Sequence, residues 1–278
     1  MTVRLDVTTA VTVIRPGRSL HVSPRELWDF RELLYFLVWR DAKVRYKQTV
    51  LGALWSVLQP LMTMAVFAVF FGRLARVPSD GQPYPLFAFT ALVPWTYFAT
   101  ALSAGAQSLV GSQQLISKVY FPRLIIPLAS VATPIIDFAI AGGLLALMLL
   151  WYGITPWAGI FLVPAFALLA VAIALAATLW FSALNVEYRD VRYVLPFAMQ
   201  FWMFATPVAY PASLVPEVWR PLYGLNPMAT VVEGFRWGLL GTPAPGAMVA
   251  VSLVVVTMAL VGGVAYFRRM EGTFADVI

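Results

Sequence analysis

The sequence predicts an all-α integral membrane protein. It is expected to have six transmembrane helices, an N-terminal amphipathic interfacial helix, and short outer re-entrant helices between spans five and six. Three observations carry this expectation. Of 278 residues, 61% are hydrophobic and 12% charged, against roughly half apolar and a quarter charged in soluble domains. The apolar residues gather into long runs of about 20, the length that crosses a hydrocarbon core. The cations stand beside those runs, where membrane-flanking residues belong.

Taken in order, residues 1–24 form an N-terminal arm in which Arg4, Asp6, Arg15, Pro16 and Arg18 interrupt each short apolar piece. No apolar core of a secretory signal is expected there. The membrane domain then runs over 25–278. Residues 25–44 mix Leu27, Trp28, Phe30, Leu33, Leu34, Phe36, Leu37 and Val38 with Arg25, Glu26, Asp29, Arg31, Glu32 and Arg40, the blend of an interfacial helix. Spans are expected at about 50–72, 85–108, 124–152, 157–184, 194–213 and 245–267. A lone helix satisfies its own backbone in lipid, so Pro60, Pro94, Pro127, Pro134, Pro164 and Pro207 are expected as kinks. Residues 216–241 hold two apolar pieces split by Asn226-Pro227, each too short to cross, and read as re-entrant or interfacial helices.

Orientation follows from Lys and Arg. With the N-terminus in the cytoplasm, the inner segments hold fifteen of the nineteen Lys and Arg. The outer ones hold Arg73, Arg76, Arg220 and Arg236. The positive-inside rule therefore places both termini in the cytoplasm.

Several chemistries lack their residues. There is no phosphate-cradling GxxxxGK[ST] loop, so ATP hydrolysis is not expected in this chain. The single histidine, His21, has no evident partners and reads as a solvated loop residue. Cysteine is absent, and the carboxylates are scattered, so neither a metal site nor an acid–base pair is expected. The net charge of +6 collects at membrane edges, which points to membrane lipids and not to nucleic acid.

Four features remain open on the residues alone. Asp137 is an acid deep in the third span, where an ionisable group is costly. It could be a proton relay, a substrate contact or a helix-packing hydrogen bond. The run Arg40-Asp41-Ala42-Lys43-Val44-Arg45-Tyr46-Lys47-Gln48 is either positive-inside anchoring or a site for an anionic lipid head group. The loops 110–123 and 185–193 are connectors or docking elements for a cytoplasmic partner. Trp95, Tyr97 and Phe98, with Phe201, Trp202 and Phe204, either pack or offer flat faces to sugars.

The stretch from Arg45 through Tyr46, Lys47, Gln48, Gly52, Trp55 and Gln59 to Pro60 resembles the start of the first span in permease subunits of ABC-type polysaccharide exporters. That family serves O-antigen, teichoic acid, capsule and related glycans. Pro83-Tyr84-Pro85-Leu86-Phe87 with Pro94-Trp95 is similar to its second span. Ile116-Ser117-Lys118-Val119-Tyr120-Phe121-Pro122-Arg123 and Asn185-Val186-Glu187-Tyr188-Arg189-Asp190-Val191 resemble its two coupling loops. Asn226-Pro227 followed by Glu233 and Arg236 resembles its outer gate segment. The resemblance runs from about residue 30 to the C-terminus.

It implies a homodimer in the bacterial inner membrane, bound to two separate nucleotide-binding ATPase subunits that hold the ATP and Mg. The implied cargo is a polyprenyl-diphosphate-linked glycan, O-antigen-like, moving along a channel between protomers. By the same resemblance Arg45, Lys47 and Gln48 are candidates for the head group. Trp95, Tyr97, Phe98, Phe201 and Trp202 are channel candidates. Gln114, Ser117, Lys118, Glu187, Arg189 and Asp190 are candidates for ATPase coupling. Asn226, Pro227, Glu233 and Arg236 are outer-gate candidates. The rival reading is an ion-coupled secondary transporter with Asp137 as its proton site. A membrane-embedded transferase would need a carboxylate or histidine cluster that the sequence lacks.

Overall fold

The computed structural model describes residues 24–47, 54–155, 157–272 and 274, and every regular element among them is a helix. The arm before Pro24, with His21, and the candidate Gln48 lie outside the described residues. Five helices among the described residues are long and apolar enough to cross a membrane: Leu54–Leu74, Tyr84–Gly111, Ile125–Trp151, Gly159–Glu187 and Met248–Glu271.

The expected interfacial helix forms as two pieces, α1 (Pro24–Asp29) and α2 (Arg31–Lys47), broken at Phe30. Leu37 of α2 is buried, while Trp28, Tyr35, Phe36 and Trp39 are exposed. The helix thus offers apolar surface on the side away from the bundle as well as toward it. α3 (Leu54–Phe67) runs into a π-helical stretch, Ala68–Leu74. α4 (Tyr84–Gly111) begins on Pro83 and Pro85, residues with φ suited to a helix start and no N–H to satisfy.

α5 (Gln113–Lys118) is a short helix past the far end of α4. α6 (Ile125–Ala132) and α7 (Ile135–Trp151) are two halves of one crossing. They part at Thr133-Pro134, where proline supplies no N–H to continue the ladder, and Thr133 Oγ1 donates to the Ala129 carbonyl at 2.9 Å. α8 (Val163–Glu187) follows a 3-10 turn at Ala158–Leu162.

The fifth expected span departs most from expectation. α9 (Val191–Ala205) has 15 residues, about 22 Å of helix against a hydrocarbon core of about 30 Å. Pro207 ends this helix and does not kink it, because the residue before a proline is pushed out of the helical region. Thr206 accordingly sits at φ −97°, ψ 140°. Beyond it come short turns, α10 (Arg220–Tyr223) and α11 (Pro227–Leu240). α11 starts on Asn226-Pro227 and stops at Gly241, whose φ of 72° is the left-handed cap that glycine supplies. α12 (Met248–Glu271) closes the chain.

α4 is the axis of the bundle and packs against α3, α6, α7, α8, α9 and α11. Its first half, Leu86–Trp95, is buried throughout and apolar except for Thr90, as a stretch surrounded by other helices must be. α8 lies along it, and α12 lies along α8. The α4–α8 seam is close because small residues line it. Gly105 faces the Thr178 side chain with no room for a methyl group between them. The Asn185 amide then fastens the seam by donating to the Ala106 carbonyl at 2.9 Å. Gly105→Val is expected to wedge the two helices apart at a cost of about 1–3 kcal/mol. Thr178→Ala in the same chain should return part of that loss, read as unfolding temperature in detergent.

A second apolar cluster sits at the bundle end reached by Gly111. Leu37, Ile116, Phe121, Leu124, Phe267 and Phe274 are among its buried members. It unites α2, α5, α6 and the last turns of α4, α8 and α12.

Candidate functional site

Three elements bring one polar cluster together. Asp137 stands in the first turn of α7, where exposed amides and the helix dipole favour negative charge. Its Oδ2 accepts from the Arg45 guanidinium at the end of α2. Its Oδ1 accepts from the Tyr46 hydroxyl at 2.5 Å and from the Ser56 hydroxyl at 2.6 Å. The isolated acid and the basic approach to the first span are therefore one site, and Asp137 is the anionic partner of Arg45.

Arg45 stands between two cavities. A cleft of about 620 Å³ opens beside Arg40, Asp41, Ser108, Ser130 and Thr133. A groove of about 390 Å³ continues past Trp55, Ser56, Gln59, Thr96, Thr100 and Asp137. Both are lined by Arg45. Thr100 and Thr96 continue the polar lining into the middle of the longest helix. Lys47 is exposed at the end of α2. Arg40 pairs with Asp41 at 2.8 Å.

The two candidate coupling loops share a support. Gln114, Ser117 and Lys118 are exposed on α5, which Ile116 anchors in the end cluster. Glu187, Arg189 and Asp190 are exposed around the α8–α9 turn. The end of α12 meets both. The Tyr266 hydroxyl donates to Glu187 Oε2 at 3.2 Å. Glu271 accepts the Arg123 N–H at 3.2 Å, and its backbone carbonyl accepts from the Arg123 guanidinium. Arg268 completes the group with an ion pair to Glu271 at 2.8 Å.

At the opposite end, Asn226 holds α9 to α11. Its Oδ1 accepts from Trp202 Nε1 at 2.9 Å, and its amide donates to Ala205 O and Thr206 Oγ1. Pro227 opens α11. Arg236 is only 1% exposed. It donates to Glu233 at 2.9 Å, to Val208 O at 2.9 Å and to Tyr210 O at 3.3 Å, and lies over the Phe87 ring at 3.5 Å. Burial pushes the Glu233 carboxyl above its ordinary value, and the Arg236 charge opposes that rise. The guanidinium thus takes up carbonyls that the α9 helix, ended at Thr206, leaves without a ladder.

The aromatic candidates divide. Trp95, Tyr97 and Phe98 are 5%, 3% and 0% exposed, packed inside the protomer core with Phe98 edge-on to Trp202 at 4.9 Å. These three rings face the protomer core, whereas Thr96 and Thr100 of the same helix face the groove. Trp202 is half-buried. Phe201 is exposed, in a row with Phe197 and Phe204 along α9.

Sequence reasoning passed over Tyr46, Ser56, Tyr266 and Glu271 as site members. Tyr46 could have been found as the neighbour of Arg45. For Asp137 the signal was its isolation, because acids within spans pair with cations.

Five long apolar helices beside a groove lined by Arg45, Thr96, Thr100 and Asp137 suit a membrane transport protein. The chain belongs to the ABC-2 type transporter family, whose profile matches residues 32–240. It is 32% identical over 259 residues to the O-antigen export system permease protein RfbA of Myxococcus xanthus, covering 91% of this chain and 98% of that one. To the Klebsiella pneumoniae protein of that name it is 27% identical over 250 residues, covering 89% and 95%. To the polysialic acid transport protein KpsM of Escherichia coli it is 22% identical over 241 residues, covering 84% and 91%.

Proposed function

We propose that this chain is the permease subunit of an ATP-driven exporter that moves a lipid-linked, O-antigen-like polysaccharide across the bacterial inner membrane. The observation that carries the reading is the Arg45 cluster, a cation at the mouth of a polar groove that runs alongside the longest helix. Arg45 and Lys47 receive the diphosphate of the lipid carrier. Thr96, Thr100 and Gln59 give the following sugars hydrogen-bonding partners. The O-antigen and polysialic acid export named for the relatives supports a glycan as cargo.

The working unit is two copies of the chain with two nucleotide-binding ATPases. The exposed row Phe197, Phe201 and Phe204 supplies stacking surface for sugars in a channel between the copies, and Trp95, Tyr97 and Phe98 stiffen the wall behind it. Gln114, Ser117, Lys118, Glu187, Arg189 and Asp190 seat on the ATPases, and α12 carries the motion of both loops into the bundle through Glu271 and Tyr266. α9 with residues 206–213 forms a sixth crossing, both termini are cytoplasmic, and α10 and α11 close the outer mouth.

The test is co-purification in mild detergent from the native host. A stoichiometric ATPase subunit with hydrolysis in the eluate is expected. A chain that purifies alone and transports in response to a pH gradient would replace this reading with the secondary transporter.

A further inference from the structure

We infer that Asp137 is a specificity-determining residue. It keeps the Arg45 anion site filled with the chain's own carboxylate, so that a lipid diphosphate enters while the singly charged head groups of ordinary phospholipids do not. The inference rests on the reading of Arg45 as a head-group residue and adds what the site selects.

Three donors from two segments, the Arg45 guanidinium and the Tyr46 and Ser56 hydroxyls, converge on one carboxylate. That donor set is the one a phosphate oxygen would take. The site borders surface that lipid chains can reach, since Leu54 and Trp55 beside it are exposed. An arginine so placed, with no internal anion, would take any anionic head group, and ordinary phospholipids vastly outnumber a lipid-linked glycan.

Asp137 changes that competition in two ways. As part of the same chain it competes at an effective concentration of about millimolar or above. It also brings one negative charge, so a phosphodiester head group displaces it without gain in charge. A diphosphate brings two linked phosphates. One can take the Arg45 position while the other meets the exposed Lys47 or the open cleft on the far side of Arg45. Displaced Asp137 keeps the helix N-terminus of α7 as its neighbour.

The experiment uses the full chain in phosphatidylcholine nanodiscs, with radiolabelled farnesyl diphosphate as probe and phosphatidylglycerol as competitor. The wild-type chain should bind farnesyl diphosphate and be insensitive to phosphatidylglycerol. Asp137→Asn should bind the probe about tenfold tighter, which is about 1.4 kcal/mol, and phosphatidylglycerol should now compete. Asp137→Ser, which keeps a small acceptor for Tyr46, should behave alike and serves if the asparagine variant fails to fold.

Unchanged or weaker probe binding in both Asp137 variants, or continued rejection of phosphatidylglycerol, would overturn the selectivity role and leave Asp137 as a packing residue. Inorganic diphosphate competing as strongly as the unlabelled lipid would overturn the lipid assignment. Arg45→Ala binding the probe as wild type does would sink the head-group reading itself, an outcome distinct from those above.

Discussion

Arg236→Met is expected to lower the folding stability of this chain by about 3–5 kcal/mol, the range for removing one partner of a buried ion pair. The cause is what remains behind. Glu233 keeps a carboxylate in a nearly closed site, and the Val208 and Tyr210 carbonyls lose their donor. Phe87 also loses the cation over its ring. The segment after α9 should loosen first, because Arg236 ties residues 208–210 to α11. The double variant Glu233→Leu/Arg236→Met should recover part of the loss, since a buried pair exchanged for apolar groups can be nearly neutral. Recovery stays partial while the two carbonyls lack a donor. Unfolding temperature in detergent, followed by tryptophan emission, reads both variants. An Arg236→Met chain as stable as wild type would show that the pair holds nothing together.

The second large effect is functional. Arg45→Ala/Lys47→Ala should cut export by about 10- to 100-fold, the net loss of one charge-assisted contact of about 1.5–3 kcal/mol. Stability should change little. The Arg45–Asp137 pair is partly exposed, with side chains 37% and 27% accessible, and such pairs contribute on the order of 0–1 kcal/mol. The contrast between the two substitutions is the point of comparing them. Arg236 lies in a closed site and should act on the fold, whereas Arg45 lies between two cavities and should act on cargo. Surface polysaccharide in a complemented deletion strain, measured together with the yield of assembled complex, separates the two. Normal export from the double variant would remove Arg45 and Lys47 from the head-group site.

Five of the long helices were legible because an apolar run ends where a turn-former or charge begins. Tyr84–Gly111 and Met248–Glu271 lie within a few residues of the expected 85–108 and 245–267. The end of α9 was not legible in the same way. Proline within a span is expected to kink, and the tertiary partners of residues 206–210, chiefly Asn226 and Arg236, support the chain where Pro207 turns it out of the helix.

The burial of the α4 rings was not legible either. α4 is apolar over most of its surface, and the weak polar row Thr96, Thr100, Ser103 and Gln107 does not say which rings the other helices cover. Trp95, Tyr97 and Phe98 looked like any other span aromatics until the surrounding helices were in place. The site was half legible. The basic approach and the lone acid were each visible, but they stand 92 residues apart, and no spacing rule links them. What could link them was scarcity, since 12% charged residues leave few partners for an acid inside a membrane.

The most direct measurement is ATP-dependent translocation in vesicles that hold this chain with the ATPase that co-purifies with it. Lipid-linked glycan is loaded on the face bearing the ATPase and assayed on the other. The account predicts transfer that needs hydrolysable ATP, falls with Arg45→Ala/Lys47→Ala, and ignores a collapsed pH gradient. Transfer that proceeds without ATP and stops when the gradient is collapsed would contradict it.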